Sequence, residues 1–180
     1  MELFWYFVVY SFLGFLLEVA FARATGAGKQ DRKCLLLLPL CPVYGLGALA
    51  ILAVARWTGG AGWGLVLLGG GAATVVEYLM AVFYEKALGV SFWDYSDLPG
   101  DLHGRVSLTF SLVWGLLALV LVRWVHPGVA ELVETIPLSV GVFMAVLVGV
   151  DSVCTVFLLR HTRSTDSLKW YQALLKRAAG

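Results

Sequence analysis

Hydrophobic residues fill five long stretches of the chain, and polar residues collect between them. The stretches cover residues 3–22, 40–57, 63–84, 106–125 and 137–159. Each approaches the roughly 20 apolar residues that a helix needs to cross a bilayer. We therefore predict an all-α integral membrane bundle of five transmembrane helices, forming one domain over residues 1–180. The apolar positions of residues 160–180 recur at helical spacing among basic residues, which predicts an amphipathic cytoplasmic tail.

Composition supports the membrane assignment. The chain is 60% hydrophobic and only 14% charged, whereas soluble domains carry about 25% charged residues. A net charge of +1 gives no general attraction to nucleic acid. The three cysteines have no CxxC spacing, which argues against a disulfide framework or a zinc site. No basic segment precedes the first hydrophobic stretch, so we expect that stretch to be a retained span rather than a cleaved signal.

Lysine and arginine are distributed unevenly between the loops. Arg23, Lys29, Arg32 and Lys33 follow the first stretch, and the tail is also basic. With five spans, this loop and the tail lie on the same side of the membrane. Because basic loops remain in the cytoplasm, the N-terminus is predicted outside and the C-terminus inside.

A polar stretch, residues 92–105, stands between two hydrophobic spans. It contains the acids Asp94, Asp97 and Asp101, followed by His103 and Arg105. Aromatic residues flank the first acid, which favours an ordered or re-entrant loop at the membrane edge over a solvated connector. The guanidinium of Arg105 has the fork of donors that suits a carboxylate or a phosphate.

Three acids lie inside the hydrophobic stretches: Glu18, Glu77 and Asp151. Glu18 is predicted to share one helical face with Gly14 and Ser11, four and seven residues before it. An ionised side chain at the membrane centre costs at least about 2.5–3.5 kcal/mol, so such residues usually face a cavity or a partner. In the predicted orientation all three fall in the cytoplasmic half. We expect them to line a common polar cavity there, although helix packing alone is an alternative reading.

The candidate ligand-binding residues combine these acids with neighbouring polar and aromatic side chains. They are Glu18, Tyr44, Glu77, Asp94, Tyr95, His103, Arg105, Ser111 and Asp151. No cofactor is evident from any motif. A divalent cation is one candidate ligand, with Glu77, Asp94 and His103 as metal candidates, but their spacing matches no strong metal motif. The nucleophile motifs of common hydrolases are absent.

Several short blocks occur in an order that resembles a known bacterial family, the putative ABC-transporter type IV membrane proteins, or CmpB family. The blocks are YSFLGFLLE at 10–18, PLCPVYG at 39–45, EY at 77–78, WDYS at 93–96, GRVSL at 104–108 and FSLVWG at 110–115. The resemblance implies a permease of the bacterial inner membrane. The chain departs from the family pattern at Leu38 and His103, where the family has Gly and Asn.

Three functional hypotheses follow. The first is a small transporter or permease component whose cavity binds a polar or cationic solute. The chain has no ATP-binding motif, so any ATPase would be a separate chain. The second is a membrane-interface enzyme acting on a lipid or isoprenoid phosphate, with Arg105 holding phosphate and Asp94 or His103 as acid or base. The third is a non-catalytic assembly or regulatory subunit. Five spans make a narrow bundle, which favours a homodimer or a partner membrane chain.

Overall fold

Five helices account for most of the residues described by the computed structural model, which are 1–26, 34–59 and 62–169. They are α1 (Glu2–Ala24), α2 (Pro42–Thr58), α3 (Gly62–Leu88), α4 (Leu108–Glu134) and α5 (Leu138–Thr162). A 3-10 turn at Thr165–Lys169 follows α5. No strand occurs within the described ranges. The predicted all-α fold is confirmed. Lys29, Arg32, Lys33 and the tail after Lys169 lie outside the described residues.

The helices have the length and composition of membrane spans. α1, α3, α4 and α5 are each long and apolar enough to cross a bilayer, and α2 is a shorter apolar helix of 17 residues. At 1.5 Å per residue, α2 is about 25 Å long, close to the lower limit for a span. The chain is therefore a multi-pass membrane protein.

Local signals set the helix ends. Pro42 lies in the first turn of α2, where its missing N–H costs no hydrogen bond. Gly59 ends α2 with φ of 66°, a left-handed conformation that favours glycine. Ser107 caps α4, because its hydroxyl accepts a hydrogen bond from the Phe110 N–H at 3.3 Å.

α4 extends beyond its predicted end. The sequence placed that end near residue 125, before the His126-Pro127 pair, but the helix continues to Glu134. A π-helical turn at Leu121–Val125 precedes the proline, and the His126 N–H bonds to the Leu121 carbonyl. The wider turn lets the helix continue past Pro127. His126 is half-buried, with Nδ1 2.9 Å from the Tyr10 hydroxyl.

α3 and α4 approach closely along a glycine contact. A Cβ added to Gly70 would lie 2.8 Å from the backbone of Gly115, and one added to Gly115 would lie 2.9 Å from the Val66 carbonyl oxygen. Small residues permit this approach between membrane helices. The contact fixes the face of α3 that continues toward Glu77.

The chain enters α2 through a non-helical segment at residues 34–41, here called the inserted segment. The Cys41 N–H donates to the carbonyl of Ser11, which lies near the middle of α1, at 2.9 Å. Leu35 and Leu40 belong to the same buried cluster as Trp5. The inserted segment thus runs at mid-height within the bundle. The predicted spans placed residues 34–39 in a loop outside the membrane, and that prediction was wrong.

Side chains of α5 supply acceptors for the inserted segment. The Leu36 N–H donates to Thr155 Oγ1 at 2.9 Å. The Leu37 N–H donates to both carboxylate oxygens of Asp151 at 3.0 and 3.1 Å, and the Leu38 N–H donates to Oδ2 at 2.7 Å. Irregular backbone at membrane depth is tolerated only where its polar groups are satisfied within the protein. Asp151 therefore has a structural role in this fold.

Candidate functional site

A cavity of about 390 Å³ lies at the end of the bundle that carries the loop between α3 and α4. Its walls come from α1, the start of α2, α3, α4, the loop at residues 92–95 and the turn after α5. The volume is within the range of small-molecule pockets, about 300–1,000 Å³. Five of the predicted ligand-binding residues line it: Glu18, Tyr44, Glu77, Asp94 and Tyr95.

Glu77 is the most buried acid of the cavity wall, with 5% of its surface exposed. Its Oε1 accepts a hydrogen bond from the Tyr95 hydroxyl, and its Oε2 accepts one from the Trp114 indole N–H, both at 3.1 Å. Both donors are neutral. The carboxylate is therefore oriented by hydrogen bonds, and its charge is not offset by either of these two partners.

Glu18 reaches the cavity from α1, on the face that the sequence assigned to it. The Tyr44 hydroxyl donates to Glu18 Oε1 at 2.7 Å. Tyr44 lies directly over Gly14, where a Cβ would come within 2.2 Å of the ring. Gly14 and Glu18 are one helical turn apart and thus face α2 together. The absence of a side chain at position 14 allows the tyrosine to reach the acid.

Aromatic rings surround the two acids. Tyr95 stacks on Phe110 with centroids 4.6 Å apart and an interplanar angle of 15°. The ring centroids of Tyr44 and Trp114 are 5.2 Å apart, and those of Phe21 and Phe110, which pack edge to face, are 6.3 Å apart. Aromatic faces carry a negative quadrupole, so a group of them beside carboxylates is an environment for a cation.

The loop that closes one side of the cavity is ordered, as predicted. The Tyr95 N–H donates to the Gly104 carbonyl at 2.8 Å, and the Trp93 indole N–H donates to the Arg105 carbonyl at 2.8 Å. Asp94 is exposed and accepts hydrogen bonds from the hydroxyl and the N–H of Ser96. These bonds lower the pKa of the Asp94 carboxyl, which favours its charged form at neutral pH.

Arg105 and His103 lie outside the cavity lining. The Arg105 guanidinium ion-pairs with Glu85, Nη2 to Oε2 at 2.6 Å, and its Nη1 donates to the Tyr78 hydroxyl at 3.1 Å. The bonds to Glu85 raise the pKa of Arg105. His103 Nδ1 is 3.2 Å from the same hydroxyl. These contacts hold the loop against α3. The Arg105 guanidinium is paired with the Glu85 carboxylate.

Asp151 and Ser111 are also separate from the cavity. The sequence grouped Asp151 with Glu18 and Glu77 by depth, but the structure turns it toward the inserted segment. Depth along a helix does not set the direction of a side chain, and the Asp151 carboxylate is directed to the amides of Leu37 and Leu38. The Ser111 hydroxyl donates to the Ser107 carbonyl within its own helix.

The predicted metal candidates do not form a donor cluster. Within residues 1–26, 34–59 and 62–169, no group of three or more His, Cys, Asp or Glu side chains is arranged to hold a metal ion. Glu77 and Asp94 line the cavity, whereas His103 contacts Tyr78 outside it.

Several cavity residues were not among the sequence candidates. They include Cys34, Cys41, Phe110, Trp114 and Lys169. The hydrogen bond from Trp114 to Glu77 depends on the approach of α3 and α4. The cysteines, whose sulfurs are 3.3 Å apart, reach the cavity because the inserted segment enters the bundle. Neither the Trp114–Glu77 hydrogen bond nor the position of the two cysteines can be predicted from the residues next to them in the chain.

Comparison with known proteins identifies the family. The family described as "Putative ABC-transporter type IV" matches residues 5–158 of the 180. The chain belongs to this family. The resemblance that the sequence blocks indicated is thereby confirmed. The family match also extends beyond those blocks into α5. No curated protein and no solved structure matches the chain.

Proposed function

We propose that this chain is the membrane-embedded, solute-binding component of a transport system and that its cavity binds an organic cation. The observation that carries the proposal is Glu77, a buried carboxylate on the cavity wall whose hydrogen-bond donors are neutral. Burying a carboxylate without a compensating charge is unfavourable. A cation in the cavity would provide that charge.

The other lining residues favour the same ligand. Among the described residues, the lining has three carboxylates, Glu18, Glu77 and Asp94, and one ammonium, Lys169. The Lys169 ammonium ion-pairs with Asp166 at 2.8 Å. The balance of charge therefore attracts cations, and the aromatic rings around the acids suit a quaternary or alkylated ammonium group better than a bare metal ion.

Transport is favoured over the enzyme alternative by the position of Arg105. That hypothesis required Arg105 as a phosphate ligand, and its guanidinium is bound to Glu85 outside the cavity lining. The family description supports a transport role. We propose that a separate ATPase supplies energy and that a second copy or a partner membrane chain completes the narrow bundle.

Replacing Glu77 with glutamine should weaken cation binding strongly without unfolding the protein. Glutamine keeps the size of the side chain and its acceptor oxygen but removes the charge. A pair of unit charges about 5 Å apart contributes roughly 3 kcal/mol at intermediate dielectric. We therefore expect the affinity for radiolabelled tetraethylammonium, measured by equilibrium dialysis on purified protein in maltoside micelles, to fall at least about tenfold.

The matched control is Glu131→Gln, which removes the same charge from an exposed position outside the cavity lining. It should bind tetraethylammonium like the natural chain. Equal binding by Glu77→Gln and Glu131→Gln would overturn the cation site. Loss of folded protein in Glu77→Gln alone would instead support the assembly-subunit hypothesis. Uptake of tetraethylammonium by proteoliposomes preloaded with unlabelled compound then tests movement across the bilayer.

The proposal also includes a bacterial inner-membrane location, with the N-terminus outside and the C-terminus inside. The positive-inside rule supports this orientation. In that orientation the cavity lies in the cytoplasmic half. A green fluorescent protein fused after Gly180 should fluoresce, and alkaline phosphatase fused after Glu134 should be active. Active phosphatase after Gly180, together with inactive phosphatase after Glu134, would reverse the proposed topology.

A further inference from the structure

The cavity has an apolar side that faces the exterior of the bundle. Leu17 and Phe21 of α1 and Val113 of α4 line the cavity. The same side chains are 43%, 48% and 40% exposed, so the cavity is not enclosed on this side. A side chain that both lines a cavity and faces outward marks its opening. At this height the exterior is the lipid bilayer, because all three residues lie within helices of membrane-spanning length and composition.

Two contacts bound this opening between α1 and α4. Toward one end, the Tyr10 hydroxyl lies 2.9 Å from His126 and joins the two helices. Toward the other end, Phe21 lies against Phe110 with centroids 6.3 Å apart. Between these contacts, α1 packs mainly on α2 and α4 packs mainly on α3. The result is a slot with apolar edges, here called the lateral slot.

The polar and apolar parts of the cavity come from different side chains of its lining. Glu77 and its donors are on α3, α4 and the loop, whereas Leu17, Phe21 and Val113 border the lateral slot. A ligand that occupies both parts has a charged head beside the acids and an apolar portion directed toward lipid. A small hydrophilic cation would leave the apolar edges without a partner from the ligand.

We infer that the natural ligand is an amphiphilic cation, an alkyl-chain ammonium compound that enters from the bilayer with its chain in the lateral slot. This inference rests on the proposed cation site and adds the class of substrate and its route. A compound of this kind concentrates in the membrane before it binds. The acids then select the head group, and the slot accepts chains of different length without reshaping the cavity.

The test compares two ligands with the same head group, tetraethylammonium and octyltriethylammonium, in which octyl replaces one ethyl. Each fully buried methylene adds about fourfold to affinity, so three buried methylenes give about sixtyfold. Octyltriethylammonium should displace radiolabelled tetraethylammonium at a concentration at least tenfold lower than unlabelled tetraethylammonium does. Micelle partitioning of the octyl compound is the same for every variant, so comparison between variants isolates the slot.

Variants of the slot have matched neighbours. Val113→Trp and Leu17→Trp each place a large ring at an edge of the slot. Leu112→Trp and Leu16→Trp place the same ring on neighbouring exposed positions that do not line the cavity. The slot variants should weaken the binding of octyltriethylammonium at least tenfold more than they weaken the binding of tetraethylammonium. The neighbouring variants should change neither ligand, and either slot variant is sufficient if the other fails to fold.

The two proposals fail in different ways. If tetraethylammonium binds in a Glu77-dependent manner but both slot variants bind octyltriethylammonium normally, the lateral slot is overturned and the cation site remains. The same conclusion follows if the octyl chain adds no affinity. If tetraethylammonium binding does not depend on Glu77, the proposed function itself is overturned.

Discussion

Replacing Asp151 with leucine should destabilise the folded protein severely. The carboxylate accepts hydrogen bonds from the Leu37 and Leu38 amides inside the bundle, and leucine offers no acceptor. A buried donor that loses its acceptor costs about 1–3 kcal/mol, so two such donors cost about 2–6 kcal/mol. That loss is comparable with the whole stability of many domains.

Graded substitutions at this position separate the hydrogen bonds from the packing. Asp151→Asn retains one acceptor oxygen and should lose about half as much stability as Asp151→Leu. Ser152→Ala, a change at the adjacent position of α5, should unfold like the natural chain. The measurement is the unfolding midpoint in mixed micelles of maltoside and dodecyl sulfate, read by circular dichroism. A stable Asp151→Leu protein would show that the inserted segment does not depend on this carboxylate.

The second large effect is expected from a single methyl group on α3. In Gly70→Ala the new Cβ would lie 2.8 Å from the Gly115 backbone, and backbone atoms cannot rotate away as a side chain does. The helices must separate, which costs roughly 3 kcal/mol, at the upper end of typical overpacking penalties. The separation also moves Trp114 away from Glu77, so tetraethylammonium binding should weaken as well.

The neighbouring glycine provides the control for this substitution. A Cβ on Gly71 meets no atom within 4 Å. Gly71→Ala has the same effect on helix propensity as Gly70→Ala without the contact. It should leave the unfolding midpoint unchanged or raise the stability by about 0.5 kcal/mol. If the two variants have equal midpoints, the close approach of α3 and α4 is not essential to the fold.

The helices could be predicted from sequence because their cause is local. A run of apolar residues cannot remain in water, and Pro42 and Gly59 mark the ends of α2 by their own backbone preferences. The face shared by Gly14 and Glu18 was also predicted, since helical periodicity alone determines it. Pro127 misled the prediction of the end of α4 because a preceding π-helical turn accommodates it.

The inserted segment could not be predicted from its own residues. The run at residues 35–38 is too short for a span, and nothing local shows that it enters the bundle. Its partners, Asp151 and Thr155, are more than 100 residues away in the chain. The equal depth predicted for the three acids therefore grouped Asp151 with Glu18 and Glu77. Only the packing of α5 shows that Asp151 binds backbone amides instead.

The order of synthesis gives the contact between Asp151 and the inserted segment a further consequence. The ribosome releases residues 34–41 early, and the carboxylate that receives their amides emerges more than 100 residues later. The wall of the cavity formed by Cys34 and Cys41 therefore cannot reach its final form during translation of the first four helices. Maturation of the binding site is tied to the insertion of the last helix, so a nascent chain arrested before α5 should remain unable to retain solute.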